Sequence, residues 1–165
     1  MWPKQSECDE FYGNPRGKRD PSIASDVWET ANIVRIKPPF LITYDGKPYK
    51  SGIRIHKKCA DSLMRIFEDI WDYADQQQSV VDKWGVSIYG GAYNYRLMRG
   101  SSRLSMHSWG CAIDLDPDRN SFHDTTPNFA NAPFVIRAFE EAGWVWGGRW
   151  SGRSCDGMHF QAAIV

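Results

Sequence analysis

The chain has 165 residues, with 20 basic and 20 acidic side chains, so its formal net charge at pH 7 is zero. This length fits one domain that can bury a core of its own. The chain has no excess of positive charge of the kind that binds nucleic acid or an anionic membrane. It also contains no run of about 18 apolar residues, the length needed to cross a bilayer.

Residues 1–30 are rich in Pro, Gly and charged side chains, which is typical of loops. We predict that they form an irregular arm over a catalytic domain of residues 31–165. The first ten residues are polar and acidic where a signal peptide needs an apolar core, so we expect synthesis in the cytoplasm. The four cysteines show no C-x-x-C spacing, and we expect reduced thiols.

The spacing of apolar residues predicts a helix from His56 to about Gln77, with His56 at the surface. Residues 86–89 are predicted to form a strand, and residues 133–142 a second helix with Pro133 in its first turn. Strand-like segments follow at 144–146 and 159–164. The sequence therefore predicts an α+β fold, a small single domain with a central antiparallel sheet and flanking helices.

Two short segments contain the residues that could bind a metal or take part in catalysis. They are Ser105-Met106-His107-Ser108-Trp109-Gly110-Cys111-Ala112-Ile113-Asp114 and Asp156-Gly157-Met158-His159. Two imidazoles and one carboxylate would suit a catalytic Zn²⁺, which takes three protein ligands and leaves a fourth position open. Strand alternation places Asp114 on the opposite face from Cys111, which favours the aspartate as ligand. Periodicity alone leaves each histidine equally open to an ordinary hydrogen-bonded role.

The pattern Ser-x-His-x-x-Gly-x-Ala-x-Asp followed by Asp-x-x-His resembles that of zinc peptidases that cleave peptidoglycan stem peptides. This family includes D-alanyl-D-alanine carboxypeptidases and dipeptidases, and the L-alanyl-D-glutamate endopeptidases of phage lysis. The resemblance extends from about Gly85 to the C-terminus. It implies a zinc ion bound by His107, Asp114 and His159, with Asp156 as general base and Arg96 stabilising the transition-state oxyanion.

Several neighbouring residues have more than one interpretation. Arg99 and Arg103 are alternatives to Arg96 for stabilising the oxyanion, and all three could instead be solvated charges of a loop. Asp116 could hydrogen-bond a ligand histidine or be a solvated turn carboxylate. Trp150 is the best candidate for a groove wall.

The resemblance implies hydrolysis of a stem-peptide amide bond, and we favour a phage-type endolysin with L-alanyl-D-glutamate endopeptidase activity. The enzyme would be a monomer that reaches the cell wall after release from the cytoplasm. Its partner would be the peptidoglycan stem peptide, without nucleic acid and without membrane insertion. The alternatives are a D-alanyl-D-alanine carboxypeptidase or dipeptidase, a catalytically silent metal-bearing binding module, and a structural zinc domain. A structural zinc site usually has four ligands.

Overall fold

The computed structural model describes residues 1–165, which form five helices and eight strands. The helices are α1 (Cys8–Tyr12), α2 (Asp26–Asn32), α3 (Lys57–Tyr73), α4 (Gln78–Trp84) and α5 (Pro133–Glu141). The strands are β1 (Ile33–Ile36), β2 (Thr43–Tyr44), β3 (Lys47–Pro48), β4 (Ile53–His56), β5 (Ile88–Gly91), β6 (Ala112–Leu115), β7 (Val145–Trp146) and β8 (His159–Gln161). No helix has the length and apolar character needed to span a membrane.

Six strands form one sheet in the order β3-β2-β5-β6-β8-β7, and β1 pairs with β4 in a separate two-stranded sheet. All neighbouring strands are antiparallel except β2 and β5, which run parallel. The prediction of a small single α+β domain is confirmed, and the main sheet is mixed instead of wholly antiparallel. The centre of this sheet, where β6 lies between β5 and β8, carries the residues of the candidate site.

The two longest helices, α3 and α5, pack against each other and supply much of the core. Helix α3 buries Leu63, Phe67 and Ile70, whose spacing places them on one face. Helix α5 begins with proline, which needs no backbone partner in the first turn, and Gly143 with φ +81° follows its end. Helix α4 was not predicted from the sequence, because its seven residues are too few to give a clear helical periodicity.

Residues 1–30 differ from the predicted irregular arm because they contain helix α1 and most of helix α2 and contribute to the core. Tyr12 of α1 is buried, and its hydroxyl donates to the backbone carbonyl of Ala162 at 2.7 Å. The indole of Trp28 in α2 donates to the carbonyl of Tyr12 at 3.0 Å. The polar and glycine-rich composition of this segment indicated a loop. A few buried aromatic side chains are nevertheless enough to attach it to the core. The functional boundary at residue 30 stays a prediction.

His56 is fully buried, so the prediction that it lies at the surface is wrong. His56 is the last residue of the largely buried strand β4, and the helix begins only at Lys57, so the lysines turn outward while the imidazole turns in. Its Nε2–H donates to the carbonyl of Tyr12 at 3.0 Å, and its Nδ1 accepts from the backbone N–H of Lys58 at 3.1 Å. Burial, with a smaller contribution from the neighbouring lysines, lowers the pKa of His56 to about 4.

This buried imidazole is expected to make the free energy of unfolding fall as the pH drops from 7 to 4. In the unfolded chain His56 takes up a proton near pH 6.5, whereas the folded chain does so only near the lowered pKa. The loss is about 3 kcal/mol over this range, since each pKa unit corresponds to about 1.4 kcal/mol. Urea unfolding at several pH values should show this loss in wild type but not in His56→Asn, which keeps the helix cap. Equal pH dependence of the two proteins would contradict it.

Candidate metal centre

A buried 3-10 turn, Met106–Trp109, carries His107 just before the central strand β6. The hydroxyl of Ser105 caps the turn by accepting from the backbone N–H of His107 at 3.4 Å. The turn ends at Gly110, whose φ is +67° and where a Cβ would lie 2.7 Å from Ile33 and 2.9 Å from the backbone nitrogen of His56. A glycine is therefore required at this point, both for the dihedral angle and for the close approach of β4.

The register of β6 and β8 brings the other two candidate ligands together, because Asp114 and His159 are direct partners across the strands. Each oxygen of the Asp114 carboxylate faces a different histidine. Oδ2 lies 3.2 Å from His107 Nε2, and Oδ1 lies 3.1 Å from His159 Nδ1. The three ligand atoms all lie within 4.8 Å of one another. The structure thus brings together the three residues that the sequence analysis proposed as ligands.

Hydrogen bonds on the far side of each ring determine which nitrogen carries the proton. His107 Nδ1 lies 2.7 Å from the carbonyl oxygen of Ala92, which can only accept, so Nδ1 is the protonated nitrogen. His159 Nε2 lies 2.9 Å from Gln161 Oε1. The amide nitrogen of Gln161 donates to the carbonyl of Ala163 at 2.8 Å, which orients its oxygen toward the histidine. In their neutral forms, both rings therefore present a lone pair to Asp114.

Two lone pairs facing one carboxylate require a positive charge between them, and this donor set fits a divalent cation with nitrogen and oxygen ligands. His107 Nε2 is buried and has no hydrogen-bond partner, as expected of an atom reserved for a metal. Without a metal, a proton must fill this role. Burial opposes charge on His159, but the hydrogen bond and charge of Asp114 outweigh it and raise the pKa of His159. Protonation and metal binding are thus alternative ways to satisfy the cluster.

Asp156 is half-buried beside this cluster, and its Oδ1 is buried without a hydrogen-bond partner. Its backbone is fixed by two hydrogen bonds, from its N–H to Gly147 and from the His159 N–H to its carbonyl. Burial raises the pKa of Asp156, and the nearby Asp114 carboxylate acts in the same direction. Asp156 lines the same cleft as the three candidate metal ligands and has an oxygen without a hydrogen-bond partner, so it is well placed to accept a proton.

The side chain of Arg96 is exposed and lies at the border of the cluster, while its backbone is held firmly. The hydroxyl of Ser108, in the turn that carries His107, accepts from the Arg96 N–H at 3.0 Å and donates to the Arg96 carbonyl at 2.9 Å. The backbone N–H of Ser105 also donates to this carbonyl. The backbone of Arg96 is thus held by the turn that carries His107, so the position of Arg96 relative to the candidate metal ligands is fixed.

Two clefts adjoin the cluster, and both are lined by Arg96, His107 and Asp114. The smaller cleft, of about 410 Å³, is lined on its far side by tyrosines. The larger cleft, of about 780 Å³, contains Asp156 and His159. Trp150 lines this larger cleft, and its ring centroid lies 5.6 Å from that of His159. This position is consistent with the groove wall predicted for Trp150.

Asp116 has neither of the roles considered from the sequence. It is buried, and its carboxylate accepts from Arg119 Nε at 2.7 Å. Its φ of +48° ends the alternation of β6 at Leu115, so its side chain leaves the face of Asp114. A Cβ at Gly85 would lie 2.3 Å from the Asp116 carboxylate, which shows how tightly the group is enclosed. Cys111 lies in the core as predicted, and all four cysteines are free thiols.

Gln161, Ser108 and the carbonyl of Ala92 each hold a candidate site residue in place, and none of these roles was predicted from the sequence. The available signal for Gln161 was its position two residues after His159, on the same face of a strand. No sequence signal marks the Ala92 carbonyl, because any residue has one. Ser108 lies inside the motif, but its partner Arg96 is brought to it only by the fold.

Replacing Gln161 is expected to weaken metal binding without abolishing it. Gln161→Leu keeps the volume but removes the acceptor of the His159 N–H, which frees the ring to rotate or change tautomer. Removal of such an orienting group typically costs about 10- to 100-fold in metal affinity. Competition with a chelator of known affinity measures the change, and Gln77→Leu is a matched control, because Gln77 is exposed just before α4 and its side chain makes no hydrogen bond. Unchanged affinity in Gln161→Leu would contradict the orienting role.

Comparison with known proteins agrees with this arrangement. Residues 99–162 match a family described as D-alanyl-D-alanine carboxypeptidase. No curated protein and no solved structure matches the chain. The matched segment contains His107, Asp114, Asp156 and His159, and Arg96 lies just before it. The match covers less than half of the chain, and it supports a metallopeptidase.

Proposed function

We propose that this chain is a zinc-dependent peptidoglycan hydrolase of the phage endolysin type, an L-alanyl-D-glutamate endopeptidase. The observation that carries the proposal is the cluster of His107, Asp114 and His159. Their lone pairs converge beside the unpartnered carboxylate of Asp156. Zinc is favoured because two imidazoles and one carboxylate, with a position left for water, form its usual catalytic donor set.

His107, Asp114 and His159 would hold a zinc ion, which when bound would supply Lewis acidity to the scissile carbonyl and to a water molecule at neutral pH. Asp156 accepts the proton of the attacking water at its free oxygen and passes it to the leaving amine. Arg96 extends its guanidinium toward the carbonyl oxygen as negative charge develops there. His107 and His159 keep their orientation through the Ala92 carbonyl and Gln161.

The choice of an endopeptidase is supported by the two clefts, since such an enzyme binds peptide on both sides of the bond that it cuts. The larger cleft also contains Arg99, Arg103 and Arg153, none of which pairs with a carboxylate. In stem peptides the chain continues through the γ-carboxyl of D-glutamate, so its α-carboxylate remains free next to the L-alanyl bond. A cationic cleft beside the cluster suits this substituent.

The second candidate is a D-alanyl-D-alanine carboxypeptidase, which the description of the matched family favours. Here the same arginines would hold the terminal carboxylate of the substrate. Digestion of purified peptidoglycan separates the two activities. The endopeptidase should release stem peptides that begin with D-glutamate and leave L-alanine on the glycan, whereas the carboxypeptidase should release only free D-alanine. Mass spectrometry identifies the products, and binding without any release would indicate the catalytically silent module.

Arg96 provides a kinetic test of its own role. Arg96→Ala is expected to lower kcat and kcat/KM together by about 10²- to 10³-fold with KM nearly unchanged, because the guanidinium acts only on the transition state. Arg96→Lys should restore little, since a point ammonium does not reproduce the planar guanidinium. Steady-state kinetics on a stem-peptide substrate, with Arg65→Ala on the exposed face of α3 as control, measures this.

If Arg96→Ala instead raises KM with kcat intact, then Arg96 binds a substrate carboxylate. That result would favour the carboxypeptidase. Release from the cytoplasm to the wall and the monomeric state also stay predictions, to be tested by cell fractionation and by sedimentation.

A further inference from the structure

The smaller cleft has a wall of three tyrosines that the proposed chemistry does not use. The ring centroid of Tyr89 lies 5.7 Å from that of Tyr44 and 5.2 Å from that of Tyr49, and those of Tyr44 and Tyr49 are 5.9 Å apart. Tyr89 is buried beneath the other two, whereas Tyr44 is 48% exposed at the outer edge. The three rings form a continuous aromatic surface that faces solvent through Tyr44. We call it the tyrosine platform.

The tyrosine platform is part of the same depression as the candidate metal centre, because His107 and Asp114 also line this cleft. Between them the wall is formed by the backbone of Gly90 and Gly91. A Cβ at Gly91 would meet no atom within 4 Å, so the space above this backbone is open. A group attached to the substrate directly beside the reacting bond can therefore lie across the glycines and reach the tyrosines.

The tyrosine cleft differs from the larger cleft in charge. Arg54, which lines it, is already paired with Glu29 and lies over the ring of Tyr93 with its guanidinium carbon 4.9 Å from the centroid. Apart from the shared Arg96 and Asp114, the tyrosine cleft therefore has no uncompensated charge. Besides the shared Arg96, the larger cleft has three arginines without a carboxylate partner, so an anionic part of a substrate is drawn to that side.

We propose that the tyrosine platform binds the muramic acid ring of the glycan strand, on the N-terminal side of the bond that is cut. This inference rests on the proposed endopeptidase function and assigns a direction to the substrate. In a muropeptide the lactyl carboxyl of muramic acid is joined to L-alanine as an amide, so the sugar side is uncharged. Its apolar C–H face suits aromatic rings, and its hydroxyl groups can hydrogen-bond the phenolic oxygens. The acidic D-glutamyl side then lies in the arginine-lined cleft.

Two substrates that differ only in the sugar test the proposal. One is N-acetylmuramyl-L-alanyl-D-glutamyl-lysine, and the other carries an acetyl group in place of the muramyl group. Wild type should have a kcat/KM about tenfold higher on the muramyl substrate, the size expected of one or two aromatic contacts. Tyr44→Ala should lose this preference while leaving the acetylated peptide unaffected. Tyr44→Phe should keep most of the preference.

Tyr73→Ala is the matched control, because Tyr73 is a 58% exposed tyrosine on α3, stacked on Phe134 away from the cluster. It should retain the preference for the muramyl substrate. Equal kcat/KM of wild type on the two substrates would overturn the sugar assignment. So would a preference that survives in Tyr44→Ala. An equal loss on both substrates in Tyr44→Ala would show that the platform binds peptide instead.

If neither substrate is cleaved, the proposed function fails, and a binding experiment then decides the assignment alone. Calorimetric titration of the purified protein with N-acetylmuramyl-L-alanine should show binding that Tyr44→Ala weakens by about tenfold and Tyr73→Ala leaves unchanged. N-acetyl-L-alanine should bind more weakly than the muramyl compound. No difference between these two ligands would overturn the sugar assignment whatever the outcome of the activity assay.

Discussion

Replacing His107 or His159 with alanine is expected to abolish both metal binding and hydrolysis. The purified wild type should hold about one zinc ion per chain, and each variant should lose it, because two ligands do not form a stable catalytic site. Activity should fall to background, since no acidic water or polarised carbonyl remains. Elemental analysis after dialysis and a peptidoglycan-release assay measure the two effects.

The control for this experiment is His123→Ala, because His123 is exposed and hydrogen-bonds the backbone of Arg153 instead of Asp114. It should keep its metal. Asp114→Asn provides a variant of nearly the same shape in case the alanine variants fold poorly. If the metal content stays at the wild-type level in both histidine variants, the ion is bound elsewhere and the proposed function loses its main support.

Asp156→Asn is expected to lower kcat by about 10²- to 10⁴-fold while leaving the zinc content and the melting temperature close to those of wild type. The amide has the shape of the carboxylate but cannot accept the proton of the attacking water. The free Oδ1 has no structural partner to lose, so the fold should tolerate the change. Kinetics, elemental analysis and thermal unfolding of the same preparation separate chemistry from binding.

Near-normal turnover in Asp156→Asn would place the general base elsewhere. Asp116 is not available for that role, because its carboxylate is buried and paired with Arg119. Asp124→Asn is a suitable control, since Asp124 lies on a neighbouring loop and its carboxylate serves the turn at Thr126. That variant should turn over at the wild-type rate.

The candidate ligands could be predicted from the sequence because the relevant information is local. Strand alternation fixes which side chains of β6 and β8 share a face, and the glycine after the 3-10 turn is visible in the motif. Together with the family resemblance, this identified His107, Asp114 and His159 before any geometry was known. The fold class followed from the long periodic helix and the short strand-like segments in the same way.

The remaining features depend on contacts that no local pattern encodes. His56 is buried because Tyr12, from a distant segment, supplies an acceptor for its proton. The lysines beside His56 give the opposite impression in the sequence. Similarly, the cationic and tyrosine clefts arise from side chains on separate loops and strands. Their charge and aromatic content become apparent only when the fold brings them beside one cluster.

The antiparallel pairing of β6 with β8 has a consequence for the order of folding. Asp114 and His159 meet only across this pair, and Tyr12 of α1 supports β8 through Ala162. His107 and Asp114 are close in the sequence, but His159 joins them only through a contact between distant segments, and such contacts form late because long loops must first close. During synthesis, the nascent chain has no complete metal centre until β8 has emerged and paired. Pairing of β8 thus completes both the candidate site and the hydrophobic core, to which β8 contributes the buried Phe160.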